Sequence, residues 1–118
     1  MSAWEVLLYP EAENDLADLD GSRRVLALKA IEKVSRNPLP REKGGHGDPL
    51  GNKGGRNLTG FMKIKLKGAG IRVIYRLAEL NGKMAVVVVG SREDEEAYEL
   101  AAKRADAFEE WLREQLGC

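Results

Sequence analysis

Four cations recur in a pattern that could do chemistry on a phosphodiester. Lys63 and Lys65 stand two apart in Met62-Lys63-Ile64-Lys65-Leu66-Lys67, Arg72 follows a short glycine-containing turn, and Arg92 comes just after Gly90-Ser91. Side chains of a strand alternate between faces, so Lys63 and Lys65 project from one face about 7 Å apart. A tight turn through Lys67-Gly68-Ala69-Gly70 brings Arg72 beside them, and Arg92 arrives at the end of a third strand. Four positive groups on one face repel one another unless an anion sits among them. Arginine can grip a phosphate through its planar fork, and lysine supplies a point charge whose pKa falls next to other cations. Such a set could cleave RNA without a metal. The 2′-hydroxyl attacks the adjacent phosphorus, a lysine of lowered pKa or another base takes its proton, and arginines stabilise the charge that develops. The same residues also fit an ordinary basic outer face, because lysines on exposed strands discourage edge pairing.

A sheet must position these residues, and the flanking pattern predicts one. Leu58 to Lys67 alternates, with Met62, Ile64 and Leu66 facing one way and Lys63, Lys65 and Lys67 the other. Ile71 to Leu77 has Ile71, Val73, Tyr75 and Leu77 on its apolar face and Arg72 and Arg76 opposite. Asn81-Gly82 is a strong hairpin signal. Met84 to Val89 is apolar throughout, as in a strand covered on both faces.

Upstream, Trp4 to Tyr9 reads as a short strand. Pro10 opens a helix with Ala12, Leu16 and Leu19 on one side and acidic residues on the other. A second helix, capped by Ser22, runs to about Arg36 with Leu26, Leu28, Ala30, Ile31 and Val34 as its buried face, and Asn37-Pro38 stops it. Pro38 to Asn57 shows no sustained period and carries six glycines, so it reads as a loop that is either functional or mobile. The last segment is a helix with Tyr98, Ala101, Ala105, Phe108 and Leu112 on one stripe and Glu93, Asp94, Glu95 and Glu96 in its first turn.

The expected fold is α+β: an N-terminal strand and helical hairpin, three antiparallel strands and a C-terminal helix. Helices are expected on one side of an antiparallel sheet. Residues 1–118 read as one domain, with a helix extension over about 106–118.

Charge is unevenly placed along a chain that is neutral overall. Residues 41–92 carry 11 lysines and arginines against 3 acidic residues, and residues 93–118 carry 3 against 9. A basic middle with an acidic tail fits a polyanion site or, equally, a solvated surface balanced by a nearby helix. No apolar run approaches the roughly 18 residues of a membrane helix, and no signal peptide is expected at the start. The single cysteine, Cys118, allows no disulfide within the chain and fits a reducing cytoplasm. His46 stands in the glycine-rich stretch without a second metal ligand near it, so no metal, cofactor or catalytic role is assigned to it.

The stretch Met62-Lys63-Ile64-Lys65-Leu66-Lys67-Gly68-Ala69-Gly70-Ile71-Arg72-Val73-Ile74-Tyr75-Arg76 resembles the core strands of the RelE-type toxins of bacterial toxin–antitoxin systems. The likeness continues through Val87-Val88-Val89-Gly90-Ser91-Arg92-Glu93-Asp94-Glu95-Glu96-Ala97-Tyr98, and the element order agrees from Trp4 to about Arg104. The resemblance implies a metal-independent endoribonuclease that enters the ribosomal A site, beside the 16S rRNA, and cuts the message there. It implies Lys63 and Lys65 as base and transition-state clamp in either order, and Arg72 as a phosphate ligand. Arg92 would stabilise the phosphate or protonate the leaving 5′-oxygen, and Tyr98 would stack on or orient the substrate. Lys67, Arg76, Lys53 and Arg56 are further expected RNA contacts. A cognate antitoxin is the implied protein partner, with no membrane and no cofactor. The extension bearing Phe108, Trp111 and Leu112 could pack on the domain, form a homodimer or receive the antitoxin. Relatives that share this fold but inhibit DNA gyrase, the ParE type, are the alternative; they do not depend on the lysine pair. A third reading is an inactive module that only binds RNA or antitoxin.

Overall fold

Residues alternating between apolar and basic build the two strands at the centre of the site, and the rest of the chain is arranged around them. The computed structural model describes residues 4–90 and 93–117. Their order is β1 (Glu5–Leu8), α1 (Pro10–Asp18), α2 (Gly21–Ser35), β2 (Asp48–Lys53), β3 (Arg56–Leu66), β4 (Ile71–Ala78), β5 (Lys83–Gly90) and α3 (Asp94–Gln115). The strands form one sheet in the order β1-β5-β4-β3-β2. The α+β class and the chain order expected from sequence both hold, with three differences.

The first is β2, which lies inside the stretch read as a loop. Gly54 and Gly55 have φ of 58° and 82° and sit between the paired residues Lys53 and Arg56. Two central residues with positive φ are what a tight two-residue hairpin needs, so this Gly-Gly pair folds β2 back onto β3. The residues before β2 are also tied down. Tyr75 Oη donates to the Pro38 carbonyl at 2.8 Å, and the Gly47 amide donates to the Leu39 carbonyl at 3.1 Å. Gly60, at φ 94°, breaks the two-residue alternation of β3, so that Leu58 and Phe61 are both buried.

The second difference is the sheet itself, which is mixed and covered on both faces. β1 runs parallel to β5, and the other neighbours are antiparallel. A parallel neighbour needs a crossover rather than a hairpin, and most of the chain lies between β1 and β5. Leu26, Ala30 and Val34 of α2 border a groove of about 420 Å³ together with Ile64 and Leu66. The opposite face carries Phe61, Lys63, Arg72 and Arg76, which meet Phe108, Tyr98, Asp94 and Glu109 of α3. Because successive residues point to opposite faces, α2 and α3 sandwich the sheet.

Third, the faces expected of α1 and α2 hold in part: Ala12, Leu16, Leu19, Ile31 and Val34 are buried as expected, but other positions differ. In α2, Ala27, Ile31 and Val34 are buried at helical spacing, whereas Leu26 and Leu28 flank that stripe and are 46% and 45% exposed. The cap of α2 is Asp20 rather than Ser22. Its Oδ1 accepts from the Arg23 amide at 2.9 Å and from Ser22 Oγ at 2.9 Å. In α1, Asp15 is buried among the apolar residues.

Asp15 has a structural task. β1 ends at Leu8, opposite Val86, so β5 continues beyond its parallel neighbour. There the Val89 amide donates to Asp15 Oδ2 at 3.1 Å, and Arg104 Nη1 donates to the Val87 carbonyl at 2.7 Å. Arg104 also grips Asp15 in a fork, Nη1 to Oδ2 at 2.8 Å and Nη2 to Oδ1 at 3.1 Å. Two side chains from α1 and α3 thus satisfy backbone groups that a longer β1 would have paired.

Past this pair, α3 is held by aromatic packing. Phe108 is fully buried, with its ring centroid 5.5 Å from that of Tyr9 and 5.8 Å from that of Phe61, and Trp111 lies 5.4 Å from Tyr9. Of the three uses expected for the apolar residues of the extension, packing on the domain is the one seen.

Candidate active site

The site is the part of the basic face that the N-terminal end of α3 overlooks. Strand register sets it: Lys65 lies opposite Arg72, Lys63 opposite Ile74, and Arg72 in turn opposite Gly90 at the end of β5. The hairpin register brings Lys63, Lys65 and Arg72 together, as expected from their spacing. Arg92, two residues beyond Gly90, falls outside the described residues. Tyr98 reaches the same place from the second turn of α3.

Lys63 is half-buried and held on two sides. Its Nζ donates to Tyr98 Oη at 2.8 Å, stands 5.5 Å over that ring, and lies 3.6 Å from Asp94 Oδ2. Partial burial alone would lower the pKa of this ammonium. The Tyr98 hydrogen bond and the Asp94 carboxylate outweigh it and hold the pKa above the usual lysine value. Lys63 is therefore a fixed cation rather than a lysine poised to accept a proton. Tyr98 is buried, so its ring faces are covered, and its hydroxyl orients Lys63.

Arg72 is anchored by the same carboxylate. Its Nε donates to Asp94 Oδ1 at 2.5 Å, and its Nη1 contacts the Gly70 carbonyl at 3.4 Å. The Arg72 hydrogen bond, aided by Lys63 and Lys65, holds the Asp94 carboxyl below the ordinary carboxylate range, so it is an anion at neutral pH. Lys65 differs from both: it is exposed and has no hydrogen-bond or ion-pair partner among the described residues. Lys67 continues the row into the exposed β3–β4 turn.

Two of the further expected RNA contacts are engaged elsewhere. Arg56 lies 3.4 Å from Glu95 and 3.7 Å from Glu99, and Arg76 pairs with Glu109 while its guanidinium sits 5.7 Å over the Phe61 ring. Both arginines fasten α3 to the sheet. Lys53 stands at the β2–β3 turn, at the far end of β3 from Lys65. His46 borders the α2 groove on the other face. Among the described residues, no three histidine, cysteine or acidic side chains gather to hold a metal.

Asp94 is the site residue that the sequence pattern did not single out. Its spacing held a signal: positions 94 and 98 are four apart and so share a helix face with Tyr98. The resulting arrangement has a fixed lysine, a free lysine and an arginine on one face, with an internal carboxylate between two of them. Cations so placed can hold a phosphodiester and stabilise charge that builds on it.

No protein-family model matches the sequence. A RelE-like toxin protein of Escherichia coli is 39% identical over 102 residues, covering 86% of this chain and 96% of that protein. Among solved structures, a free-state arginine double mutant of the Escherichia coli toxin RelE superposes with a TM-score of 0.68 at 24% identity, over 87% of this chain and 98% of the other. The RelBE2 toxin–antitoxin complex of Mycobacterium tuberculosis gives 0.63 at 24% identity, over 77% and 100%. An archaeal RelE–RelB complex from Pyrococcus horikoshii gives 0.55 at 17% identity, over 79% and 99%.

Proposed function

This chain belongs to the RelE-like toxin family, and from that membership we propose that it is a metal-independent endoribonuclease that cuts messenger RNA in the ribosomal A site. The observation that carries the reading is the grouping of Lys63, Lys65 and Arg72 on one sheet face beside the end of β5. ParE-type toxins do not depend on the lysine pair, so this grouping favours the nuclease over the gyrase inhibitor.

In this reading the two lysines take different roles, and the raised pKa of Lys63 supports the division. Lys63, kept protonated, is the clamp on the phosphate oxygens; Lys65, unpaired and exposed, is the base. The 2′-oxygen bonds to phosphorus as its proton passes to Lys65 Nζ acting as base, and the bond from phosphorus to the 5′-oxygen breaks. The leaving oxygen takes a proton from Arg92, and the products are a 2′,3′-cyclic phosphate and a 5′-hydroxyl. Arg72 binds the phosphate, and Tyr98 acts through Lys63 as a positioning residue. Charge complementarity to developing phosphorane charge is the main source of rate. Lys67 extends the cationic row toward the flanking RNA.

A cognate antitoxin is the proposed protein partner, since two of the solved relatives are toxin–antitoxin complexes. The proposed location is the cytoplasm, where translated message is found. No helix among the described residues is long and apolar enough to cross a membrane.

The test is to map the 5′ ends of a message translated in the presence of the purified protein. Cuts are expected at codon positions within the A site, and only when ribosomes translate. Lys65→Ala and Arg72→Ala should each lower them about a hundredfold while leaving the melting curve in place. Undiminished cutting by the double variant rules out this mechanism, and inhibition of gyrase supercoiling without cuts favours the ParE-type alternative.

A further inference from the structure

The cations that would hold an RNA phosphate already hold an anion of the chain's own. Arginine grips a phosphate best through two parallel N–H groups, and one of its two such edges begins at Nε. In Arg72 the Nε position is taken by Asp94 Oδ1 at 2.5 Å, while Nη1 faces the Gly70 carbonyl at 3.4 Å. The other carboxylate oxygen of Asp94 lies 3.6 Å from Lys63 Nζ. Of the three side chains, Asp94 is the most exposed, at 37% against 17% for Lys63 and 12% for Arg72. A phosphodiester arriving from solvent therefore meets a carboxylate before it meets the two half-buried cations. Two anions cannot share one N–H, and like charges at such separations repel.

We infer that Asp94 is a selectivity residue of this site: an internal competitor that must release the Nε edge of Arg72 before a phosphodiester can bind through it. The inference rests on the RNA-cleaving reading given above. Short naked RNA, offering only its own phosphates, is a weak competitor against an anion tethered in place. RNA presented with further contacts outside the site can supply the extra binding energy that displaces it. Asp94 is held ionised by Arg72, so the lever is displacement and not protonation. A purely positioning role for Asp94 predicts the reverse, because losing a group that shapes Arg72 and Lys63 weakens RNA binding.

The experiment measures binding of a fluorescein-labelled 2′-O-methyl hexaribonucleotide by anisotropy across a salt series. This probe has phosphates but lacks the free 2′-hydroxyl nucleophile, so cleavage does not enter. Asp94→Asn and Asp94→Ser remove the charge while keeping a side chain that suits a helix start, and thermal melting checks that each is folded. Both variants should bind about tenfold tighter, as expected when one charge-assisted hydrogen bond no longer competes. Their dependence of log affinity on log salt should steepen by about 0.7, for one more phosphate neutralised. Equal or weaker binding by folded Asp94→Asn or Asp94→Ser overturns the inference. Arg72→Ala separates the two levels of argument. If it weakens binding while the Asp94 variants do not tighten it, the RNA site stands and the competitor falls. If Arg72→Ala leaves binding unchanged in both the native and Asp94→Asn backgrounds, the face holds no phosphate and the RNA-cleaving reading fails with it.

Discussion

The two halves of α3 hold the same sheet by opposite means. From its midpoint on, α3 is anchored mainly by the buried Asp15–Arg104 fork and by Phe108, packed between Tyr9 and Phe61, with the half-exposed Arg76–Glu109 pair beside them. Its N-terminal half rests on charges at the edge of solvent, where Asp94 meets Lys63 and Arg72, and Glu95 and Glu99 meet Arg56. Apolar burial and a desolvated fork resist exchange with water, whereas ion pairs open to solvent on one side contribute less and can trade partners. The difference separates stability from function along one helix: one end fixes the fold, and the other keeps cations available for an incoming anion.

That contrast can be broken most forcefully at Phe108. Phe108→Ala should destabilise the domain by about 4 kcal/mol in urea unfolding, through lost burial and the cavity left behind. Asp15→Ala should cost about 3 kcal/mol, because it removes the buried partner of Arg104 and leaves only the half-exposed Glu11, 3.6 Å from its Nε. Asp15→Leu combined with Arg104→Met should cost less than Asp15→Ala alone, and a larger loss from the pair would show that the fork contributes more than mutual neutralisation. At the other end the effect moves from stability to rate. Lys65→Ala should lower ribosome-dependent cleavage about a hundredfold, equivalent to about 2.7 kcal/mol on the barrier, while shifting unfolding by less than about 1 kcal/mol. Glu109→Gln, which breaks the half-exposed pair with Arg76, should change stability by under about 1 kcal/mol.

The smallest expected effect is on pH. The Asp94 carboxyl has a lower pKa folded than unfolded, chiefly through its hydrogen bond with Arg72. Its stabilisation is therefore fully present above the unfolded value of about 3.9 and is lost as pH falls through the folded value. Acid unfolding of Asp94→Asn should lack that component, and identical acid profiles for both proteins would remove Asp94 from the account.

Much of the site was legible because strand alternation is a rigid rule. Once Lys63, Lys65 and Arg72 were placed in two strands joined by a short turn, little freedom remained in where they pointed. The rest depends on long-range partners. Asp15 looked like one of several surface acids on a short helix, and only the overhang of β5 beyond β1 gives it a buried task. Arg56 and Arg76 looked like available cations, yet acidic residues some forty and thirty positions away claim them. Leu26 and Leu28 were assigned to the core by hydrophobicity, although the stripe through Ala27, Ile31 and Val34 decides the helix face. The strand β2 was missed for a local reason: Gly54-Gly55 is itself a hairpin signal, hidden in a run of other glycines.

The overhang of β5 has one more consequence. Val86-Val87-Val88-Val89 is a run that favours stacking into cross-β assemblies, and its Val89 amide and Val87 carbonyl, once freed, would template such growth. Asp15 and Arg104 act there as a clip that holds one amide and one carbonyl of that edge. Damage that loosens α1 or the C-terminal half of α3 would open that clip. Fibrous self-association, rather than simple loss of activity, is then the expected fate of a chain in which the clip has failed.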